Sequence, residues 1–339
     1  MREHIPKTVY AVGFPRWKKA IVRQFLQDST VQFVRRPENA PQHATLAVWG
    51  QAFRSEKRPI IRIEDAFLRS VGLGADLVRP LSLVLDARGV YYDATVPSDL
   101  EHLLQIGDFS AELVARAKRL RESIVEEGVT KYNVGQGTWR RPDRARRVIL
   151  VPGQVESDAS IRYGAPAIKT NMGLLQAVRA ATSSAYVVYK PHPDVLAGLR
   201  QKGEGEQEAR RWCDEVVTDV AMGAMLAAVD EVHVLTSLTG FEALLRGKAV
   251  TCYGQPFYAG WGLTTDQAPV SRRTRRLALD ELVAGVLILY PTYVSRTTGR
   301  FITPERALDE LLDWRNQQQN ASPFWRKLLR CGLRLRKRF

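Results

Sequence analysis

The run Ala185-Tyr186-Val187-Val188-Tyr189, followed at once by Lys190-Pro191-His192-Pro193-Asp194, decides the fold. The apolar stretch reads as a buried strand, and the two prolines forbid its continuation. His192 is thereby fixed on a stiff loop at a strand's C-terminal edge, which in open α/β sheets is where ligands bind. Taken alone, a His-Pro pair is more often a solvated turn. A second strand-loop-helix unit about forty residues on, Leu235-Thr236-Ser237-Leu238-Thr239-Gly240-Phe241-Glu242, carries complementary chemistry. A strand ends, two hydroxyls follow, and Gly240 is read as opening a helix. Backbone N–H groups at a helix start, with the Thr236 and Ser237 hydroxyls, suit an anion. Glu242 suits a pair of sugar hydroxyls. By itself this is an ordinary helix cap; joined to His192 it suggests a nucleotide-sugar site.

Outward from these loops, short apolar strands alternate with helices. In the first part Thr8–Val12, 45–49 and 59–63 read as strands and 18–26 as a helix. Residues 81–85 and 90–92 flank Asp86-Ala87-Arg88-Gly89, a turn signal that predicts a hairpin. Helices follow over 97–104 and 110–125, and pattern is lost over 131–147, an interdomain connection. Alternation restarts with strands at 148–151, 186–189, 231–235 and 249–253, and helices at 169–181, 221–228 and 241–245. Helices over 277–287 and 304–314 close the globular part, the last with Thr303 as N-cap. The series indicates α/β architecture, mostly parallel sheets covered on both faces, with a cleft between two units.

The chain has 339 residues, enough for two cores, with 45% hydrophobic and 25% charged residues. Cys213, Cys252 and Cys331 form no metal or redox pattern, which suits a reducing compartment. The N-terminus lacks a signal-peptide core, and no apolar run approaches the roughly 20 residues that span a bilayer. A cytoplasmic protein is expected. Of the net charge of +14, seven charges lie in 323–339, on Arg326, Lys327, Arg330, Arg334, Arg336, Lys337 and Arg338, without an acid. Phe324, Trp325, Leu328, Cys331, Leu335 and Phe339 share the opposite helical face. That pattern suits an interfacial helix on an anionic membrane better than a disordered tail or a nucleic-acid arm.

Three further clusters carry chemistry. Asp158, in Gly153-Gln154-Val155-Glu156-Ser157-Asp158-Ala159-Ser160, lies on a polar loop at the same sheet edge. It is a base, a nucleophile or simply a helix cap. Glu64 and Asp65 are adjacent after a strand and point opposite ways, so at most one faces a given reactant. Arg69 nearby suits a sugar carboxylate or a surface ion pair. Tyr258 and Trp261, in Tyr253-Gly254-Gln255-Pro256-Phe257-Tyr258-Ala259-Gly260-Trp261-Gly262, make a wall for stacking or a packed loop. No P-loop, strict G-x-G-x-x-G, H-E-x-x-H or D-x-D occurs, so no metal or cofactor is expected.

These clusters, in this order, resemble the KpsC-like capsule polysaccharide family of β-Kdo glycosyltransferases. The resemblance runs from about Tyr10 to about Thr298. It is carried by Glu64-Asp65-Ala66-Phe67-Leu68-Arg69-Ser70, Pro80 to Asp86, Tyr91-Tyr92-Asp93, Gly153 to Ser160, Lys190 to Asp194, and Thr236-Ser237 through Gly254-Gln255-Pro256. It implies a GT-B architecture, two Rossmann-like domains facing across a cleft. The acceptor domain would be 1–140, the CMP-sugar domain 141–290, a closing helical segment 291–320 and the basic membrane-associating tail 321–339. It implies CMP-Kdo as donor, a Kdo-containing glycolipid acceptor, and retention of configuration, on the cytoplasmic side of the inner membrane. Asp158 would be the nucleophile and Glu64 or Asp65 the acceptor's base. His192, Thr236 and Ser237 would hold the CMP phosphate and Glu242 the ribose, with Gln154, Ser160, Lys190, Gly240 and Gln255 completing the donor site. Arg69, Tyr258 and Trp261 would line the sugar side. Ala66 stands where many relatives have Gly. One module should form one linkage, so an alternating polymer would need a partner enzyme. The rivals are another CMP-sugar transferase of sialyltransferase type, a sugar-nucleotide epimerase, and a basic nucleic-acid-binding protein.

Overall fold

The computed structural model describes residues 5–71, 78–131, 137–143 and 147–320. The strands, in chain order, are β1 Thr8–Val12, β2 Thr30–Val34, β3 Leu46–Trp49, β4 Ile60–Asp65, β5 Ser82–Asp86, β6 Val148–Pro152 and β7 Tyr186–Lys190. They continue with β8 Glu215–Val216, β9 Glu231–Val234, β10 Ala249–Cys252, β11 Thr265–Asp266, β12 Pro291–Val294 and β13 Phe301–Ile302.

The second sheet, β11-β10-β9-β6-β7-β8, is parallel throughout. Its order is that of a doubly wound sheet built of two βαβαβ halves, reversing where β6 lies beside β9. Every residue of β6 is buried, as expected for a strand covered on both faces. Its side chains alternate between two cores. Ile149 and Val151 pack with Leu174, Leu175 and Val178 of helix Asn171–Ala181, while Val148 and Leu150 pack with Phe241 and Leu244 of helix Leu238–Leu245. Fully burying each such side chain is worth about 1.5–3 kcal/mol. Thr170 caps the first helix, accepting from the Gly173 N–H at 3.1 Å. The second starts at Leu238, not Gly240, because the Ser237 side chain supplies the cap.

The first sheet, β13-β12-β5-β4-β3-β1-β2, is mixed rather than mostly parallel: β2, β1, β3 and β4 run parallel, and β5, β12 and β13 alternate. The hairpin expected around Asp86 does not form. The turn is real, with Asp86 accepting from the Arg88 and Gly89 N–H groups at 2.9 and 2.8 Å. Beyond it, however, residues 90–92 are not a strand, and β5 pairs instead with β4 and β12. The segment 291–320, read as helical, holds β12 and β13 before its helix Pro304–Asn320. The helix expected over 277–287 is Leu279–Val283 continued by π-helical turns, with the Tyr290 N–H bonded to the Gly285 carbonyl at 3.0 Å.

Helices Asp99–Ile106 and Ala111–Glu126 follow the first sheet in sequence but share a core with the second half. Charge pairs reinforce this join: Arg121 to Asp280 at 2.6 Å, Arg116 to Glu305 at 2.7 Å, and Glu101 held by both Arg272 and Arg273. Among the described residues no helix is long and apolar enough to cross a membrane, and the basic tail at 321–339 lies outside them.

Candidate active site

The crevice between β6 and β9 is where the sequence concentrates glycine and amides. Gly153 leaves β6 with its N–H on the Lys190 carbonyl at 2.8 Å. A Cβ there would stand 2.7 Å from the Tyr189 hydroxyl and 3.2 Å from the His192 nitrogen, so only glycine lets the two loops meet. Gln154 then bridges the crevice. Its Oε1 accepts from the Thr236 N–H at 2.9 Å and its Nε2 donates to the Thr236 hydroxyl at 3.1 Å. Asn171 fixes the Gln154 backbone through two further bonds of 2.9 Å. With both ends of its amide used, Gln154 sets the spacing of the two loops.

Four residues later Asp158 caps helix Ala159–Gly164 with its backbone only, so its exposed side chain is not spent on the cap. The carboxylate acts electrostatically on His192 and on Tyr92. His192 itself is locked: its Nδ1 accepts from the Asp194 N–H at 3.1 Å. Burial pushes the imidazole down to about 4 against the pull of Asp158. The ring is therefore neutral at physiological pH. With Nδ1 accepting, its proton sits on Nε2, a fixed donor. On the facing loop that Gln154 holds, Thr236 and Ser237 are half-buried, and Gly240 is pressed against Tyr258, whose hydroxyl donates to the Ser237 carbonyl.

The first sheet supplies carboxylates. Glu64 and Asp65 end β4 and diverge, as alternation requires. Asp65 pairs with Arg69 at 2.7 Å. Glu64 turns toward the Tyr92 hydroxyl, which donates to it. A Cβ on Gly50 would lie 2.8 Å from that hydroxyl and 3.2 Å from Glu64 Oε2. Desolvation, then the Asp65 charge, lift Glu64 to about 7. Burial and the charges of Glu64 and Asp158 hold the Tyr92 phenol protonated.

The two edges meet at Gly164, whose missing Cβ would lie 2.9 Å from Thr236 Cγ2, 3.4 Å from the Tyr92 carbonyl and 3.8 Å from the Gln255 carbonyl. Gln255 returns a bond from its N–H to the Gly164 carbonyl at 2.7 Å.

Residues 37–136 and 129–301 match the family of capsule polysaccharide biosynthesis proteins. The chain belongs to that family. It is 43% identical over 326 residues to the capsule polysaccharide modification protein LipA of Neisseria meningitidis, covering 92% of this chain and 46% of LipA. It is 41% identical over 320 residues to the lipopolysaccharide-processing protein LpsZ of Rhizobium meliloti, covering 88% of this chain and 73% of LpsZ. The chain thus spans about half the length of LipA. Among solved structures it matches Thermosulfurimonas dismutans KpsC, beta Kdo 2,7 transferase, at TM-score 0.77 and 42% identity, over 90% of this chain and 99% of that one. It matches the beta Kdo 2,4 transferase of the same KpsC at TM-score 0.80 and 33% identity, over 91% and 99%. The KpsC-like resemblance read from the motifs is thus a family membership.

Within this family member the sequence-derived candidates divide in two. Asp158, His192, Thr236, Ser237, Gln154 and Glu64 lie at the paired edges, with Ser160 in the first turn of the Asp158-capped helix. Gln255 reaches them by its backbone only, its side-chain amide donating to the Pro269 carbonyl at 3.1 Å. Others face elsewhere. Lys190 Nζ reaches the Thr218 carbonyl at 3.4 Å, beyond β8. Tyr258 and Trp261 have no exposed surface and pack in the core, so they shape the site from behind. Arg69 is buried on Asp65 and Ser70. Glu242 is buried, its carboxylate accepting from the Lys131 N–H at 2.7 Å. Two participants carried no assigned role in the sequence. Tyr92 stood within a quoted motif. Lys131, in the patternless connection, is felt by Glu64, His192 and Glu242, and its carbonyl accepts from the Ser70 N–H at 3.4 Å.

Proposed function

We propose that this chain is a glycosyltransferase module of GT-B arrangement that moves Kdo from CMP-Kdo to a Kdo-bearing glycolipid or saccharide, with retention, in capsule or related surface polysaccharide synthesis. One observation carries the reading: an exposed carboxylate not spent on its helix cap, Asp158, lies within electrostatic reach of both a neutral imidazole donor and the Tyr92 of a Tyr92–Glu64 pair. Asp158 attacks the anomeric carbon, forming a C–O bond as the bond to the CMP phosphate breaks. His192 Nε2–H and the Thr236 and Ser237 hydroxyls hold the departing phosphate. The acceptor hydroxyl then attacks the same carbon. Glu64, poised near neutrality, takes its proton, and Asp158 leaves as carboxylate. Two inversions give net retention. No metal is invoked, because CMP leaves as a monophosphate. The basic tail would hold the enzyme at an anionic membrane surface.

The test is incubation of purified protein with CMP-Kdo and a Kdo-terminated lipid acceptor, with NMR of the product glycan. A β-linked, lengthened glycolipid with stoichiometric CMP is expected. CMP release without a lengthened glycolipid would refute transfer.

A further inference from the structure

The loop between β3 and β4 is pinned to the sheet by side chains on both sides of it. On β4, Arg62 Nη1 donates to the Gly50 and Ala52 carbonyls at 2.9 and 3.0 Å. Phe53 follows with φ +54°, a left-handed conformation that strains a residue with a side chain. Such strain persists only where surrounding contacts over-determine it, and it gathers at functional positions. The contacts here converge on Asp93, whose carboxylate is fully buried. Its Oδ2 accepts from Gln51 Nε2 at 2.7 Å and pairs with Arg54 Nη1 at 2.9 Å, while Oδ1 accepts from the Thr95 N–H at 2.9 Å. Arg54 Nη2 adds a bond to the Thr95 hydroxyl at 3.1 Å. From that anchor the guanidinium crosses to the second half, where it lies 4.5 Å from the Tyr163 ring centroid on helix Ala159–Gly164. Cations act on aromatic rings within about 6 Å. Tyr163 and Gly164 thus meet the first half side by side, one through Arg54 on Asp93 and the other at the Tyr92 carbonyl.

From this geometry we propose that Arg54 is a positioning residue for the transfer step, holding the helix that Asp158 caps against the segment that carries Tyr92. The two carboxylates of the reaction stand on opposite sides of this contact. Asp158 immediately precedes the helix, and Glu64 accepts from the hydroxyl of Tyr92, the neighbour of Asp93. Forming the sugar–enzyme bond calls on Asp158, His192, Thr236 and Ser237, all in the second half. Passing the sugar on also calls on Glu64, at a fixed reach from the same carbon. Arg54 therefore sets a spacing that only the second displacement uses. A lysine would keep the charge but not the planar fork that reaches Asp93, Thr95 and the ring together. The inference rests on the transferase reading and deepens it by assigning the spacing between the halves to one side chain.

The test compares the wild-type chain with Arg54→Gln, Tyr163→Leu, their double variant and Tyr163→Phe, each given CMP-Kdo with and without a Kdo-terminated lipid acceptor. Each single loss should lower kcat for transfer about tenfold, while CMP release without acceptor stays within about twofold of wild type. Kdo then passes to water in place of the acceptor, so the ratio of hydrolysis to transfer rises about tenfold. The double variant should fall no further than Arg54→Gln, because one shared contact is lost once. Tyr163→Phe keeps the ring and should keep transfer. Hydrogen exchange, which needs no substrate, should quicken over 159–164 in Arg54→Gln with the rest of the second sheet unmoved. Equal losses in CMP release and transfer, multiplying losses in the double variant, or unchanged exchange over 159–164 would each overturn the assignment. A wild type that neither transfers nor releases CMP would refute the transferase reading, and the exchange result would still decide for or against the contact.

Discussion

Replacing Glu64 by Gln should destroy transfer and stabilise the protein above neutral pH. The folded chain keeps the Glu64 proton to about pH 7, whereas the unfolded chain releases it near 4.5. Between those values the folded state binds more protons, so rising pH favours unfolding. The gap is worth about 3 kcal/mol when fully expressed, and about 1 kcal/mol is already present at pH 5.5. Gln is isosteric, can still accept from Tyr92, and carries no charge to desolvate. In urea titrations Glu64→Gln should therefore gain on the wild type by about 2 kcal/mol between pH 5.5 and 8.5. Transfer at pH 8 should fall about 10²- to 10⁴-fold with loss of the base. Parallel stability profiles, or a variant less stable than wild type at pH 8.5, would refute a desolvated carboxyl at this position.

His192→Ala should lower kcat about 10²- to 10³-fold, with partial recovery in His192→Gln, which restores an N–H donor near the Nε2 position. Because burial holds this imidazole near 4, the limb near 7 in the wild-type pH–rate profile should belong to Glu64, and a limb near 6.5 that survives in Glu64→Gln would contradict the neutral donor. Glu101→Ala strands Arg273, whose side chain is 2% exposed, and should cost about 3–5 kcal/mol in urea unfolding; a cost below about 1 kcal/mol would remove Glu101 as the join between the halves. Gly164→Ala forces Thr236 and Tyr92 apart and should lower kcat/KM about tenfold with the fold intact, a readout that unchanged kinetics would contradict.

The four inner strands of the second sheet were legible because they are largely buried and write themselves as apolar runs ended by Pro, Gly or hydroxyl residues, as at Pro152, Pro191 and Thr236. The two-residue edge strands β8 and β11, not buried, left no pattern. The first sheet was less so. β2, a strand at the sheet edge with no fully buried residue, has only weak burial to imprint a pattern. β12 joins β5 across about two hundred residues, a pairing that no local turn signal announces. At Asp86 the turn chemistry was read correctly, but its carboxylate also binds the Asp99 N–H and the Tyr290 hydroxyl, tying the turn to a helix and to the far end of the chain. The placing of Asp158, His192 and Thr236 on the loops that follow β6, β7 and β9 was legible because each follows an apolar run closed by a breaker or hydroxyl residue. Tyr258 and Trp261 were misleading, since glycine-spaced aromatics look alike whether they line a pocket or pack behind it. Lys131 left no signal because its position depends on partners from both halves.

Covalent catalysis by Asp158 is the central claim, and intact-protein mass spectrometry after rapid acid quench with CMP-Kdo and no acceptor tests it most directly. The expected result is one Kdo mass added to the wild type, mapped to the peptide holding Asp158 and absent in Asp158→Asn. A wild type that turns over donor and acceptor yet stays unmodified across quench times, or an adduct that persists in Asp158→Asn, would contradict it.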